Sequence, residues 1–398
     1  MNNFKFDFIA GLTVFLVAVP LCLGISLACG APLVSGLLSG IIGGIVIGCL
    51  SDSNLSVSGP AAGLVSLILA GITLLGSFEA FLSCVALAGV LQILMGILKF
   101  GKLTRLIPHS VIEGMMAAIG IILIIKQFPV LIGNSLNQEF HGAILMLGLF
   151  SLILLMIWDY SFSYRYKLIP GSLVVVVFGM IVTIFMTHFL HEFGISKDYF
   201  VKIPALQSFN DFKSLFILPD WSQFRSFSFY RTAFVIALVA SIESLLSINA
   251  IERLHNKGIH ANKDRELIAQ GFGNLISGLI GGLPMASVIV RSSVNLYAGA
   301  TSKKSTIIHG FFILIMLILG SYFMSFVPLV SLAAILIFTG YKLAHPKHVL
   351  IAWKTSKIDF LAFIVTAALV VVGDLLVGVI SGIALYYFLK NLKFSDKS

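Results

Sequence analysis

The sequence predicts an all-α polytopic membrane protein: fourteen transmembrane segments in two inverted seven-span repeats, with broken half-helices at spans 3 and 10. Three observations predict it. The 398-residue chain is 58% hydrophobic and 11% charged, where a soluble domain carries roughly 25% charged residues. Its apolar runs form two sets of seven around a polar middle stretch. Two runs at matching places are interrupted by glycine and proline: Ser58-Gly59-Pro60-Ala61-Ala62 and Gly281-Gly282-Leu283-Pro284-Met285-Ala286-Ser287.

A transmembrane helix needs about 20 mostly apolar residues, and runs of about that size or somewhat shorter follow one another from the start. The first, 8–28, is long for a signal peptide and a second span follows at once, so it reads as a helix that stays. After the second, at 32–50, the stretch Ser51 to Ser58 is polar and reads as extended chain leading into a short helix from Pro60, the third span at 60–76. Runs at 79–98, 106–126, 142–158 and 169–190 complete the first set. The second set falls at 232–251, 265–280, 286–299, 305–324, 328–344, 358–373 and 375–390. Ile107-Pro108 opens span 5 and Val327-Pro328 opens span 12; proline suits a helix start because it lacks the N–H left unpaired there.

The basic residues orient these spans. With the N-terminus in the cytoplasm, the inner loops hold Lys99, Lys102 and Arg105; Arg165 and Lys167; Arg253, Lys257, Lys263 and Arg265; Lys303 and Lys304; Lys342, Lys347, Lys354 and Lys357; and Lys390, Lys393 and Lys397. The short outer connections near 133–141, 325–328 and 373–375 hold none, with Asp374 in the last of them. That asymmetry is the positive-inside pattern. The outer 191–231 stretch does carry Lys and Arg, balanced by Glu192, Asp198, Asp211 and Asp220, and long loops say little about topology. The expected organisation is a first repeat over 1–190, an extracytoplasmic connection over 191–231 and a second repeat over 232–398, with both termini cytoplasmic. An odd number of spans per repeat makes the repeats inverted.

Composition also limits function. The net charge of +9 would raise nucleic acid as a partner of a soluble protein, but here inner loops account for it. Cys22, Cys29, Cys49 and Cys84 lie in apolar N-terminal segments without metal spacing and read as free buried thiols. No nucleophile–base pair, P-loop or dinucleotide fingerprint is present, so neither an enzyme nor ATP coupling is indicated. The expected partners are a small inorganic anion and the lipid bilayer, with dimerisation left open and no nucleic acid.

The paired breaks carry the functional reading. Irregular backbone at membrane depth is tolerated only where it is buried in protein or lines a watery cavity, so both breaks should meet in one cavity near the midplane. Val57-Ser58-Gly59 and the Gly281 to Met285 stretch read as strand-like lead-ins. Helix N-termini exposed there can hold an anion through free N–H groups. Ser58, Gly59, Pro60, Ala61 and Ala62, with Ala286, Ser287 and Val288, would line it, small residues letting the ligand reach the backbone; close helix packing also selects small residues. Arg291 adds a fixed positive charge, either toward the anion or as a salt-bridge partner of Glu243. Glu243 lies inside the apolar run Phe234 to Ile251, where an acidic residue costs roughly 2.5–3.5 kcal/mol, so it needs a partner, a cation or a proton. Ser247, one turn on, shares its face.

Five segments in order then resemble the SulP family of inorganic anion transporters. They are Asp7-Phe8-Ile9-Ala10-Gly11-Leu12-Thr13 with Ala18-Val19-Pro20; Val57 to Ala62; Ala240-Ser241-Ile242-Glu243-Ser244-Leu245-Leu246-Ser247; Asn262-Lys263-Asp264-Arg265-Glu266-Leu267; and Gly281 to Pro284 running on to Arg291 and Asn295. The resemblance implies a fold with core and gate domains and substrate between the N-termini of spans 3 and 10, spans 1 and 8 completing the site. It places Glu243, with Ser247, as the coupling position for Na⁺ or H⁺. It also implies sulfate, bicarbonate, chloride or dicarboxylate as substrate. Two departures matter. Most members carry a soluble STAS domain after the last span, and none is expected here, so regulation and dimer contacts through it are not expected either. Many members place glutamine after the first-span proline, where this chain has Leu21, which leans toward the bicarbonate-type branch. The expectation is a bacterial inner-membrane carrier for bicarbonate with Na⁺, sulfate next. The alternatives are an H⁺-coupled sulfate or dicarboxylate carrier, a nucleobase permease of the same architecture, or a chloride channel.

Overall fold

The computed structural model describes residues 2–102, 107–133, 142–162, 169–189, 199–201, 209–255, 260–320, 324–373 and 375–395. Arg105, Arg165, Lys167, Glu192, Asp198, Lys257, Asp374 and Lys397 lie outside the described residues.

The helices follow the predicted runs. In the first half they are α1 Asn2–Ala28, α2 Leu33–Ile42, α3 Val65–Leu75, α4 Phe78–Ile97, α5 His109–Leu131, α6 Gly142–Ile157 and α7 Gly171–Phe189. The second half holds α8 Phe227–His255, α9 Lys263–Ile280, α10 Ile289–Tyr297, α11 Lys304–Leu319, α12 Leu329–Leu343, α13 Lys357–Val372 and α14 Leu375–Ser395. α2 runs on through a π-helical turn, Gly43–Ile47, to Leu50. Among the described residues, seven helical stretches are long and apolar enough to cross a membrane alone. Pro108 and Pro328 cap α5 and α12 at equivalent places in the two halves.

α3 and α10 are half-helices because the residues before them are extended. Ser58–Pro60 forms strand β1 and Met285–Ser287 forms strand β2. The second lead-in therefore begins four residues later than the sequence pattern placed it. Gly281 belongs to the end of α9, where its φ of +94° closes the helix and its N–H bonds to the Ser277 carbonyl. A left-handed φ of this kind favours glycine.

The helices pack in two groups. In one, α4 lies against α8 and α9, and α11 against α1 and α2. In the other, α5 lies against α12 and α13, with α6 and α14 outside them. α1 touches α12, and α5 touches α3, so the groups meet beside the half-helices. In a membrane, such crossings depend on small residues more than on hydrophobicity. A Cβ on Gly271 would lie 2.7 Å from the Gly89 carbonyl oxygen where α9 meets α4, and one on Gly340 would lie 2.6 Å from that of Gly120 where α12 meets α5.

Two local expectations are corrected. Cys22, Cys29 and Cys84 are buried free thiols, but Cys49 is exposed because α2 ends there and the chain turns inward afterwards. The loop after α12 contains a short amphipathic helix, Pro346–Thr355, started by Pro346 in its first turn and capped by His345.

Candidate functional site

β1 and β2 pair antiparallel, with Ser58 opposite Ser287, Gly59 opposite Ala286 and Pro60 opposite Met285. This two-stranded ladder satisfies backbone groups that an unwound segment would otherwise leave bare at membrane depth. It also joins the half-helices: because the strands are antiparallel, α3 follows the Pro60 end of the ladder and α10 the Ser287 end, so the two start from opposite ends of it. The Val288 N–H donates to the Val57 carbonyl at 3.0 Å, and the Ser292 hydroxyl accepts from the Val57 N–H at 2.9 Å. The first turn bond of α10 runs from the Ser292 N–H to the Val288 carbonyl. The N–H groups of Ile289, Val290 and Arg291 thus have no intrahelical acceptor, as the first turn of any helix requires.

These starts open on one cavity of about 110 Å³, where a single water needs only ~10–15 Å³. Pro60, Ala62 and Gly63 line it from the first break and Val288 to Arg291 from the second. Glu243 and Ser247 come in from α8. Mostly apolar side chains close the rest, Leu21 of α1 and Leu336 of α12 among them, with Thr339 of α12 beside them. The two breaks therefore meet in one place, 224 residues apart in sequence for their prolines at 60 and 284.

Two ionisable side chains face this space with polar atoms lacking partners. Glu243 is half-buried, its carboxyl approached by the Gly63 N–H, and its Oε2 has no hydrogen-bond partner. Arg291 is fully buried. Its guanidinium turns behind β1, with Nη2 donating to the Pro60 carbonyl at 3.4 Å, while Nε and Nη1 lack partners. A Cβ on Gly59 would collide with Nη1, so glycine there makes the room the guanidinium occupies. Among the described residues, no ion pair joins Arg291 to Glu243.

The remaining predicted residues are placed as follows. Ala61 is buried and Ala62 faces the cavity. The Ser58 hydroxyl accepts from Gln270 Nε2 at 2.6 Å, and that of Ser287 bonds to the Ser56 hydroxyl, so both hydroxyls are engaged within the protein. The Ser287 N–H donates to the Ser244 hydroxyl at 3.0 Å, and its carbonyl accepts from the Ser247 hydroxyl at 2.7 Å. α8 therefore grips β2 next to Glu243. Ala286 is buried in the ladder, and Val288 lines the cavity at its end. With the Glu243 carboxylate and the Ser247 hydroxyl on one wall, oxygen donors suited to Na⁺ stand beside the helix N-termini suited to an anion.

Sequence reasoning overlooked four residues here. Gly63 sits under Glu243, where a Cβ would lie 2.7 Å from Oε2. His309 of α11 is fully buried behind β1 with both ring nitrogens unpartnered, near Arg291. Gln270 and Asn274 of α9 are buried and bonded to the lead-ins. The signal for the last pair was in view: polar residues at i and i+4 in an apolar run.

The chain is similar to known proteins along most of its length. Residues 4–366 match the Sulfate permease family. The chain is 28% identical over 409 residues to the putative sulfate transporter YvdB of Bacillus subtilis, covering 98% of this chain and 75% of that protein. It is 26% identical over 363 residues to the bicarbonate transporter BicA of Picosynechococcus sp., covering 84% of this chain and 61% of that one, less than two thirds of its length. Among solved structures, it superposes on the transmembrane domain of a cyanobacterium bicarbonate transporter BicA with a TM-score of 0.79 at 25% identity, over 96% of this chain and 98% of the other.

Proposed function

Because the chain belongs to the Sulfate permease family, and is thus a polytopic membrane transporter of anions and not an enzyme, we propose that it is a secondary carrier of bicarbonate coupled to Na⁺, with sulfate the next substrate. The observation that carries this reading is the pairing of β1 with β2, which sets two helix N-termini beside one cavity with Arg291 behind them. Free N–H groups and the macrodipoles favour negative charge there. Among the described residues no carboxylate pairs with the guanidinium, so an entering anion meets a positive field in a low-dielectric wall. Glu243 supplies the opposite requirement. A cation held by its carboxylate and the Ser247 hydroxyl would offset the cost of a charged group at that depth, and binding of each ion would favour the other. The BicA likeness and Leu21 on the cavity wall support bicarbonate over sulfate.

Alternating access fits the arrangement of space. A second cavity of about 710 Å³ lies along α3 and α5 toward the opposite end of those helices, with Ser66, Ile122, Lys126 and Arg231 in its lining. The first cavity reaches Gly63, in the turn before α3, and Ile119 on α5, and the second begins three residues on, at Ser66 and Ile122. Sliding one helix group against the other is the kind of motion that would open the site to one cavity mouth and then the other. We place the protein in a bacterial inner membrane with both termini in the cytoplasm, on the strength of the basic inner loops.

The test is uptake of labelled bicarbonate into proteoliposomes with and without an inward Na⁺ gradient. Saturable uptake that requires Na⁺ is expected. Absent bicarbonate uptake, with sulfate uptake driven by a proton gradient, would replace this reading by the H⁺-coupled one. Unitary currents at single-channel rates would replace it by a chloride channel.

A further inference from the structure

α9 carries a row of polar side chains on a helix that is otherwise mostly apolar. Glu266, Gln270, Asn274 and Ser277 are all fully buried and recur at the spacing of one helix face. Each is bonded to the chain around the broken helices. Gln270 Nε2 donates to the Ser58 hydroxyl in β1 at 2.6 Å and to Glu266 Oε1 at 2.9 Å. Glu266 Oε2 in turn accepts from the Ser51 hydroxyl. Asn274 completes both backbone groups of Met285 in β2: its Oδ1 accepts from the N–H at 2.7 Å and its Nδ2 donates to the carbonyl at 3.0 Å. The same Nδ2 donates to Gln92 Oε1 of α4 at 2.7 Å. Ser277 donates to the Leu283 carbonyl at 2.7 Å, just before β2.

The match is dimensional as well as chemical. From Gln270 to Asn274 is four residues, a rise of about 6 Å along α9. Ser58 faces Ser287, and Met285 stands two residues from Ser287, about 6.7 Å along a strand. One helix face thus reaches one point on each strand of the ladder, at the ladder's own repeat. An apolar side chain at either position would fill the volume but leave a buried strand group without a partner, which is costly in a dry interior. Neither residue touches the cavity; they reach it only through β1 and β2.

We propose that Gln270 and Asn274 are positioning residues for anion transport: by holding β1 and β2 against α9 they set the separation and aim of the two helix N-termini. This rests on the reading of those N-termini as the anion site. Loosening either bond lets one N-terminus drift relative to the other, so the anion meets one set of N–H groups well and the other poorly. The loss then falls on anion affinity, since no group that binds the ion or carries the coupling cation has been removed.

The experiment compares Gln270→Met, Asn274→Leu, Ser58→Ala and the double variant Gln270→Met/Ser58→Ala, each purified and judged folded by a single symmetric size-exclusion peak. Hydrogen exchange of the segments 55–64 and 283–292 reads the clamp without any substrate, and KM against maximal rate for labelled bicarbonate and sulfate reads its effect on transport. Faster exchange in those two segments, a KM raised about five- to fiftyfold with the maximal rate within about twofold, and a double variant no worse than Gln270→Met alone are expected. Unchanged exchange in the two segments, or a KM equal to wild type in the folded variants, would overturn the proposal, as would independent, multiplicative effects of Gln270→Met and Ser58→Ala. Wild-type protein that carries neither anion would defeat the substrate reading alone; the exchange measurement still decides the clamp. Should Asn274→Leu fail to fold, the exchange and KM of Gln270→Met, Ser58→Ala and their double variant decide the proposal by the same outcomes.

Discussion

Glu243 and Arg291 line one cavity from two different helices, and neither neutralises the other. Burying a charge costs several kcal/mol unless it is paired, and Glu243 Oε2 and Arg291 Nε and Nη1 are buried without a hydrogen-bond partner. On the function proposed above they are halves of two binding sites, one for a cation and one for an anion.

Glu243→Gln keeps the volume and removes the charge. Cation dependence of uptake is expected to disappear, with the coupled rate falling at least about tenfold, ~1.4 kcal/mol. Uptake measured against Na⁺ and against pH gradients in turn tells which cation is involved, since the dependence on one of them flattens. A variant that still responds to its gradient as wild type does would remove Glu243 from the coupling role.

Arg291→Ala should raise KM for the anion about 10- to 150-fold, the range of one charge-assisted hydrogen bond at about 1.5–3 kcal/mol. Arg291→Lys keeps the charge without the planar fork and should fall between. Concentration dependence of uptake under a fixed gradient measures both. If the two variants behave alike, the guanidinium is acting through shape and not through charge.

Gly59→Ala and Gly63→Ala should separate the two ions. A methyl at 59 strikes the Arg291 guanidinium, and one at 63 comes 2.7 Å from Glu243 Oε2 and 3.0 Å from its Cδ. The first is expected to weaken anion affinity with the cation requirement intact. The second is expected to raise the cation concentration for half-maximal uptake several-fold, with a smaller effect on anion KM. Paired titrations of anion and cation on both variants check this; identical profiles would mean the glycines serve only packing.

Leu21→Gln places an amide on the cavity wall where this chain presents a branched alkyl group. Adding donors beside an oxyanion with more acceptor oxygens should favour sulfate. The ratio of sulfate to bicarbonate uptake is expected to rise at least about fivefold, near 1 kcal/mol, in competition assays at matched gradients. A fall in both rates with no change of ratio would show that Leu21 shapes the cavity without choosing the ligand.

The spans, their number and the site of the breaks were legible because each depends on local composition. An apolar run such as Phe78–Ile97 must be helical in lipid, since its backbone has no other partner there. Gly59-Pro60 and Gly282 to Pro284 interrupt such runs wherever they fall. Glu243 and Arg291 stood out because a charge in an apolar run is expensive on its own account. The length of each break was less legible: β1 reaches Pro60 and β2 starts only at Met285, because strand pairing depends on the partner and not on the segment.

What only the folded chain decides is who bonds to whom. The sequence marks Ser58 as a small residue lining the anion site; only the fold shows that its hydroxyl accepts from Gln270, 212 positions away. The sequence places the Ser247 hydroxyl on the face of Glu243; only the fold shows that it ties α8 to the Ser287 carbonyl. His309 gave no signal in a run of apolar neighbours, yet it lies buried beside Arg291. Hydropathy is a sum over neighbours along the chain and therefore reads the membrane as solvent. Hydrogen-bond partnership is a property of pairs in space, specified by helix crossings between residues hundreds apart, and it appears only when the two halves of the molecule are packed together.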